Sequence, residues 1–123
     1  MGVSEELDGL RDAFEDCSIV AFADIETRLV LVSSSKGVAR RETLDSLCAS
    51  AADTFGNRKA LPITEADMHI VASRTGLEIF FNLPEHAGDA LCCVCEPSID
   101  LDAFVAAARD TFDRVLNPAG DAA

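Results

Sequence analysis

The sequence predicts an α+β protein with a single domain, in which a five-stranded antiparallel sheet carries helices on both faces. The apolar periodicity changes along the chain in the order α-β-β-α-β-β-β-α, and this order nearly fills the 123 residues. Several predicted strands are apolar without a polar break, which indicates that both faces of the sheet are covered. Three amphipathic helices are available to supply that cover.

Each predicted helix has an identifiable start or stop. The first helix is expected to begin at Ser4, a good N-cap residue. The second covers Glu42–Phe55, and Gly56 follows as a left-handed cap. The third is capped by Asp100 or Ser98. The apolar stripe of the first helix is expected to consist of Leu7, Leu10, Phe14 and Cys17.

The strands are predicted from runs of strand-forming residues between turn signals. A polar turn joins the first two into an antiparallel hairpin. The fourth strand alternates, and the fifth is apolar throughout, as expected at the centre of a sheet. The domain is expected to span 1–116, followed by a disordered tail at 117–123. The predicted strands are Ile19–Ala23, Leu29–Val32, Asp67–Ser73, Leu77–Leu83 and Ala90–Cys95.

The chain is strongly acidic, with 22 Asp and Glu against 10 Lys and Arg and a net charge of −12. Such a surface repels a phosphate backbone and anionic lipid, so we expect no nucleic-acid partner. No apolar run approaches the ~18 residues that a membrane span needs. The segment Met1–Glu6 lacks both the basic and the hydrophobic region of a secretory signal.

The cysteines favour a reduced, cytoplasmic protein, because they are five in number and each lies in a predicted helix or strand. Within the cluster near the end of the last strand, Cys93 and Cys95 share one face and Cys92 points to the other. Three thiolates therefore cannot converge on one metal ion without a bend, and His69 is the only histidine that could complete a site. We expect these cysteines to pack in the core, with no metal and no cofactor.

An enzyme is the weaker interpretation of this sequence. Nucleophilic catalysis needs a Cys or Ser beside a His and an acid. Of the two histidines, His86 is the better candidate, because it stands beside Glu85 and Asp89 in the predicted loop Pro84–Asp89. Neither a glycine-rich phosphate loop nor a calcium loop is present. We therefore expect no catalytic residue, and a function carried by a surface.

The predicted elements resemble the roadblock / dynein light chain family, which has the same length and the same order of helices and strands. The resemblance covers essentially the whole chain and implies a roadblock/profilin-like fold with a non-enzymatic function. It rests on Leu7-x-x-Leu10, the strand Ser18–Asp24 with its return strand, Leu44–Phe55, Leu77–Phe81, Ala90–Cys95 and Leu101–Leu116.

The resemblance also implies a dimer that binds another protein. Family members pair their third strands into one sheet and pack their second helices together, as homodimers or heterodimers. Bacterial relatives regulate small Ras-like GTPases. The residues agree, because small side chains on the second helix permit close helix packing and an edge strand invites pairing. The expected dimer interface consists of Ala49, Ala52, Asp53, Met68, His69, Ile70, Val71 and Ala72.

Basic residues are concentrated around the second helix. The segment 36–59 holds five of the ten Lys and Arg but only three of the 22 acids. One interpretation is a positive rim that orients an acidic partner, formed by Arg40, Arg41, Arg58 and Lys59. The other is that these cations simply lie in solvated loops.

Two further classes of function stay open at this point. A small-molecule sensory domain would hold a ligand in a pocket lined by Phe22, Phe80 or Phe81. An acidic dimeric chaperone of the secretion type would fit the charge and the length. Those chaperones usually have three strands before the central helix, however, and this sequence predicts two.

Overall fold

The computed structural model describes residues 2–37, 40–56, 68–73, 76–83 and 86–117. The predicted order of elements and the α+β class are confirmed. Asn117 is the C-cap of the last helix, and the rest of the expected tail lies outside the described residues. The described elements are α1 (Val3–Ala13), β1 (Cys17–Asp24), β2 (Leu29–Ser35), α2 (Arg41–Gly56), β3 (Met68–Ser73), β4 (Gly76–Leu83), β5 (His86–Cys95) and α3 (Leu101–Leu116).

The five strands form one antiparallel sheet in the order β2-β1-β5-β4-β3. The central strand β5 and its neighbour β1 come from opposite halves of the chain. Val20 lies opposite Cys93, and Ala21 lies opposite Cys92. All four side chains are buried, which is why these two strands carry almost no polar residues in their middle. The strands β2 and β3 are the edges of the sheet.

Each face of the sheet has its own hydrophobic core. Helices α1 and α3 cover one face and α2 covers the other, because alternate residues along a strand point to opposite faces. The first core consists chiefly of Leu7, Leu10, Cys17, Val20, Ile79, Phe81, Leu91, Cys93, Cys95, Phe104, Ala108 and Phe112. The second core consists of Ala21, Ala23, Leu47, Cys48, Ala51, Phe55, Phe80, Ala90 and Cys92.

Helix α1 begins earlier and ends earlier than the sequence predicts. Its N-cap is Gly2 and no side chain caps it, so the predicted cap at Ser4 is wrong. Val3 packs against the first core, and this contact draws the residue before Ser4 into the helix. At the other end, Phe14 adopts an extended conformation and sets its ring at 5.1 Å from Phe104. Cys17 therefore starts β1 and does not belong to the helical stripe.

The other two helices follow their predictions more closely. Asp100 caps α3, because its carboxylate accepts a hydrogen bond of 3.3 Å from the amide of Ala103. Helix α2 covers Arg41–Gly56. Gly56 is therefore part of the helix, whereas the sequence predicts it as the residue that follows the helix.

Strand β2 shows less cover than its apolar sequence predicts. Val30 and Val32 do pack against the second and first cores respectively, but Leu29 and Leu31 are each 54% exposed. The reason is the position of β2 at the edge of the sheet. A register shift between Phe22 and Ala23 also leaves Leu31 without an opposite residue on β1.

The predicted loop Pro84–Asp89 is largely strand. β5 begins at His86, which lies opposite Leu83 of β4, so the hairpin connection is much shorter than expected. The polar residues of this stretch do not indicate a loop, because they lie at the end of β5 where the cores no longer cover it. The buried Asn82 donates a hydrogen bond of 2.7 Å to the backbone carbonyl of Asp89 and supports this part of the pairing.

We expect Gly76→Ala to lower the free energy of unfolding by about 2–4 kcal/mol. Gly76 has φ of 137°, and a Cβ atom there would lie 2.4 Å from the carbonyl oxygen of Cys95. Chemical denaturation followed by circular dichroism measures the loss.

Gly9→Ala is the matched control, because a Cβ atom at Gly9 meets nothing within 4 Å. Within α1 this change should raise stability by up to about 1 kcal/mol. Equal losses in the two variants would contradict the close approach of β4 to β5.

Candidate functional site

The expected dimer-interface residues on β3 lie along an edge of the sheet. Ile70 and Val71 are 40% and 43% exposed, although both are large and apolar. Ile70 lies opposite Ile79 and belongs to the face that α1 and α3 cover, whereas Val71 lies opposite Glu78 on the α2 face. Ala72 is also exposed. The strand contains no Lys, Pro or acid that would discourage pairing with another strand.

The first two residues of β3 are tied to this chain's own cores. Met68 packs against the first core. The imidazole of His69 stands edge-on to the ring of Phe55, with 5.3 Å between the ring centroids. This contact joins the strand to the last turn of α2.

The expected interface residues on α2 differ in exposure. Ala49 is half-buried, and Ala52 is buried within the chain itself. Asp53 is exposed, and its carboxylate accepts a hydrogen bond of 3.1 Å from the guanidinium of Arg28. Arg28 has φ of 59°, so this pair lies at the tight turn between β1 and β2.

An open cleft of about 500 Å³ lies between the N-terminal half of α2 and the sheet. Sequence reasoning missed this cleft, because residues from one helix and three strands form it. Its floor is apolar, and its rim holds two carboxylates and three hydroxyls. The lining residues are Ser18, Ile19, Glu42, Thr43, Ser46, Leu47, Glu78 and Val94.

The floor of the cleft continues to the edge of the sheet at β3. Ile19 lies opposite Val94, Val94 lies opposite Glu78, and Glu78 lies opposite Val71. Because residues directly opposite each other share a face, these four side chains form one row across four strands. We call them the transverse row. None of the four is fully buried, so the row is an incompletely covered strip of sheet.

The predicted basic rim is described only in part. Arg40 and Arg41 are exposed at the start of α2, whereas Arg58 and Lys59 lie outside the described residues. The carbonyl of Arg40 accepts hydrogen bonds from the amides of Thr43 and Leu44, which fixes the first turn of the helix. Arg41 lines a second groove, of about 240 Å³, together with Asp45 and the strand β2.

Comparison with solved structures identifies the architecture. The roadblock/LC7 domain from Streptomyces avermitilis superposes with a TM-score of 0.76 at 12% identity, covering 94% of this chain and 95% of that one. Myxococcus xanthus MglB superposes with a TM-score of 0.74 at 11% identity, covering 98% and 96%. A structure described as MglB with tetrameric arrangement gives 0.73 at 16% identity, covering 98% and 90%.

The chain has the roadblock/LC7 fold. Neither a family model nor a curated protein sequence matches it. The resemblance seen in the sequence is therefore confirmed by the three-dimensional arrangement of the elements, at identities too low to carry residue functions across.

The cysteines of this roadblock fold are divided between its two cores. Cys93 and Cys95 point into the first core and Cys92 into the second, as the strand periodicity predicts. Burial raises the pKa of Cys92 and Cys93, and Cys48 acts in the same direction on Cys92. In the described part of the chain, no group of three or more His, Cys, Asp or Glu side chains could hold a metal ion.

The second histidine lies near the carboxylate of Asp89. His86 Nδ1 lies 4.0 Å from a carboxylate oxygen of Asp89, and both side chains are about one-third exposed. All five thiols are buried, and His86 lies at the opposite end of β5 from Cys95. The separation of His86 from Cys95 differs from catalytic geometry, in which a nucleophile is hydrogen-bonded to its base.

Within the described structure, the rings of Phe22, Phe80 and Phe81 do not line the pocket that a sensory domain would have. Phe80 and Phe81 are fully buried in the second and first cores. Phe22 packs against Phe112, with ring centroids 6.4 Å apart. Neither of the two clefts described above is lined by these rings. Among the described helices, none is long and apolar enough to span a membrane.

We expect Cys92 and Cys93 to resist iodoacetamide in the native protein at pH 8. Only the thiolate reacts, and a raised pKa keeps both groups protonated at that pH. Peptide-resolved mass spectrometry should find both cysteines labelled only after unfolding in guanidinium chloride. Labelling at the same rate in the native and the unfolded protein would contradict the burial described here.

Proposed function

We propose that this protein is a non-enzymatic scaffold or regulator that forms a dimer and binds a small Ras-like GTPase, or another signalling protein, on the surface that the dimer creates. The transverse row is the observation that carries the proposal. It leads from the cleft beside α2 to the exposed edge of β3, so one incompletely covered strip, apolar except for Glu78, joins the two elements that the family resemblance assigns to dimerisation.

In the proposed homodimer, β3 pairs with its copy and the second helices pack together. Pairing would satisfy the outward-facing amide and carbonyl groups of β3 and cover Ile70, Val71 and Ala72. The partner's second helix would lie over the cleft and cover the apolar floor formed by Ile19 and Val94. The fold likeness to an MglB structure in a tetrameric arrangement supports self-association.

The interface set expected from the sequence divides into two groups under this proposal. Ile70, Val71, Ala72, Ala49 and Asp53 have exposed or half-exposed side chains that a second copy could contact. For Met68, His69 and Ala52 we propose a structural role instead. They hold β3 and α2 in place through contacts within one chain.

A binding surface for the GTPase is proposed at the basic residues around α2, namely Arg40, Arg41, Arg58 and Lys59. The body of the protein has a net charge of −12, so a local group of cations distinguishes one orientation of an approaching acidic partner from all others. Arg40 and Arg41 are exposed in the described structure, as such contacts require.

Val71→Arg should convert the dimer into a folded monomer, because it places a charge in the middle of the paired edge. Sedimentation velocity and light scattering measure the change in mass, and circular dichroism checks that the fold is kept.

Leu31→Arg is the matched control, since Leu31 is an exposed leucine at the opposite edge of the same sheet. It should leave the dimer intact. A wild-type protein that is monomeric at every concentration, or an equal effect of both substitutions, would contradict the proposed interface.

The double substitution Arg40→Glu/Arg41→Glu should weaken binding of a small Ras-like GTPase from the same organism by about tenfold or more, chiefly through a slower association rate. Surface plasmon resonance measures this with the GTPase loaded with GDP or with a non-hydrolysable GTP analogue. Raising the salt concentration should reduce the difference between wild type and variant.

Arg109→Glu supplies the control for Arg40→Glu and Arg41→Glu made singly, because each of these substitutions makes the same change of charge and Arg109 lies on α3, on the opposite face of the sheet from α2. Its binding should stay close to wild type. Equal weakening by the α2 and α3 substitutions would show that net charge alone is being measured, and would overturn the proposed surface.

A further inference from the structure

One pair of cysteines lies side by side at the end of the two central strands. Cys17 is the first residue of β1 and Cys95 is the last residue of β5, and the two are directly opposite each other in the antiparallel pairing. Both side chains point into the first core and both thiols are free. Directly opposite residues of an antiparallel pair have Cα atoms about 4.5–5.5 Å apart, within the range that a disulfide bridges.

The two sulfurs are also chemically distinct. The neighbouring Cys95 thiol lowers the pKa of Cys17 against the opposing effect of burial. The cations Lys36 and Arg11 lower it further. The neighbouring Cys17, together with burial, raises the pKa of Cys95. Cys17 is thus suited to attack first as the thiolate nucleophile, and Cys95 to attack the oxidised sulfur of Cys17 afterwards.

We propose that Cys17 and Cys95 form an oxidative modification site, at which hydrogen peroxide joins the two sulfurs into a disulfide across β1 and β5. The Cys17 thiolate attacks one peroxide oxygen, the O–O bond breaks, and the departing oxygen leaves as water after taking a proton. Cys17 is then a sulfenic acid. Cys95 attacks the sulfur of Cys17, the S–S bond forms, the S–O bond breaks, and the hydroxyl leaves as water with the proton of Cys95.

The electron balance of this sequence is complete. Two thiols lose two electrons and two protons, one peroxide is reduced, and two molecules of water are released. No metal or flavin is needed. Both cysteines are buried at the end of the sheet, next to the exposed Glu96, so hydrogen peroxide reaches them when this end of the sheet opens locally.

The other cysteines do not offer an equivalent pair. Cys93 lies on the same strand and face as Cys95, two residues away, and the residue opposite Cys93 is Val20. Cys48 and Cys92 share the second core, on the far side of the sheet, and burial raises the pKa of both. The proposed site lies on the face of α1 and α3, so it does not depend on the dimer proposed above.

The test treats the reduced full-length protein with hydrogen peroxide, blocks the remaining thiols with N-ethylmaleimide, and maps cross-linked peptides by mass spectrometry. We expect a Cys17–Cys95 peptide and an intact mass lower by two hydrogens, both reversed by dithiothreitol. The oxidised protein should melt roughly 5–10 °C higher than the reduced one, because the bond closes a long loop.

Variants separate this pair from the other thiols. Cys17→Ala should slow formation of an intramolecular disulfide by about tenfold or more. Cys93→Ala should leave the rate unchanged. In the Cys95→Ala variant, oxidation should stop at a sulfenic acid on Cys17, which dimedone traps. Circular dichroism confirms that each variant is folded.

The mapping of the wild-type protein needs no variant, and it decides the proposal even if a substitution prevents folding. A cross-link between Cys48 and Cys92 in place of the expected one would overturn the proposal. So would a Cys17–Cys95 bond that forms only in denaturant, or an unchanged rate of disulfide formation in folded Cys17→Ala.

Discussion

The pairing of β1 with β5 is the constraint on which the rest of this structure depends. These strands are far apart in sequence, and their contact divides the interior into two cores, with Val20 and Cys93 on one side and Ala21 and Cys92 on the other. The α1–α3 pair and α2 can only cover the sheet once this centre exists. The loop-closure entropy of bringing the two strands together is offset by burial of apolar side chains on both faces.

The same centre determines where the molecule has incomplete cover. With β1 and β5 in the middle, β2 and β3 become edges, and each edge presents two large apolar side chains to solvent. The edge at β3 continues into the larger cleft beside α2 through the transverse row, whereas the edge at β2 lines the smaller groove with Arg41 and Asp45. The two edges therefore differ in what they offer to a partner, although their sequences are similarly apolar.

The sequence predicted the described elements well and the surface only in part. The predicted alternation of the fourth strand is confirmed, with Ile79 and Phe81 in the first core and Phe80 in the second, and Asp100 is the one of the two predicted caps that begins α3. The errors occurred at ends of elements. Val3 and Phe14 changed the limits of α1 by packing against the first core, and the pairing of His86 with Leu83 extended β5 through residues that read as a loop.

By itself, the sequence determined the order of helices and strands, the faces to which the residues of β4 and β5 point, and the acidic charge of the whole. These depend on local periodicity and composition, which neighbouring residues fix. Only the tertiary structure decided that β5 lies between β1 and β4, that the second core leaves a cleft beside α2, and that Cys17 meets Cys95. Such contacts join segments distant in the chain, and the packing of side chains against one another selects them.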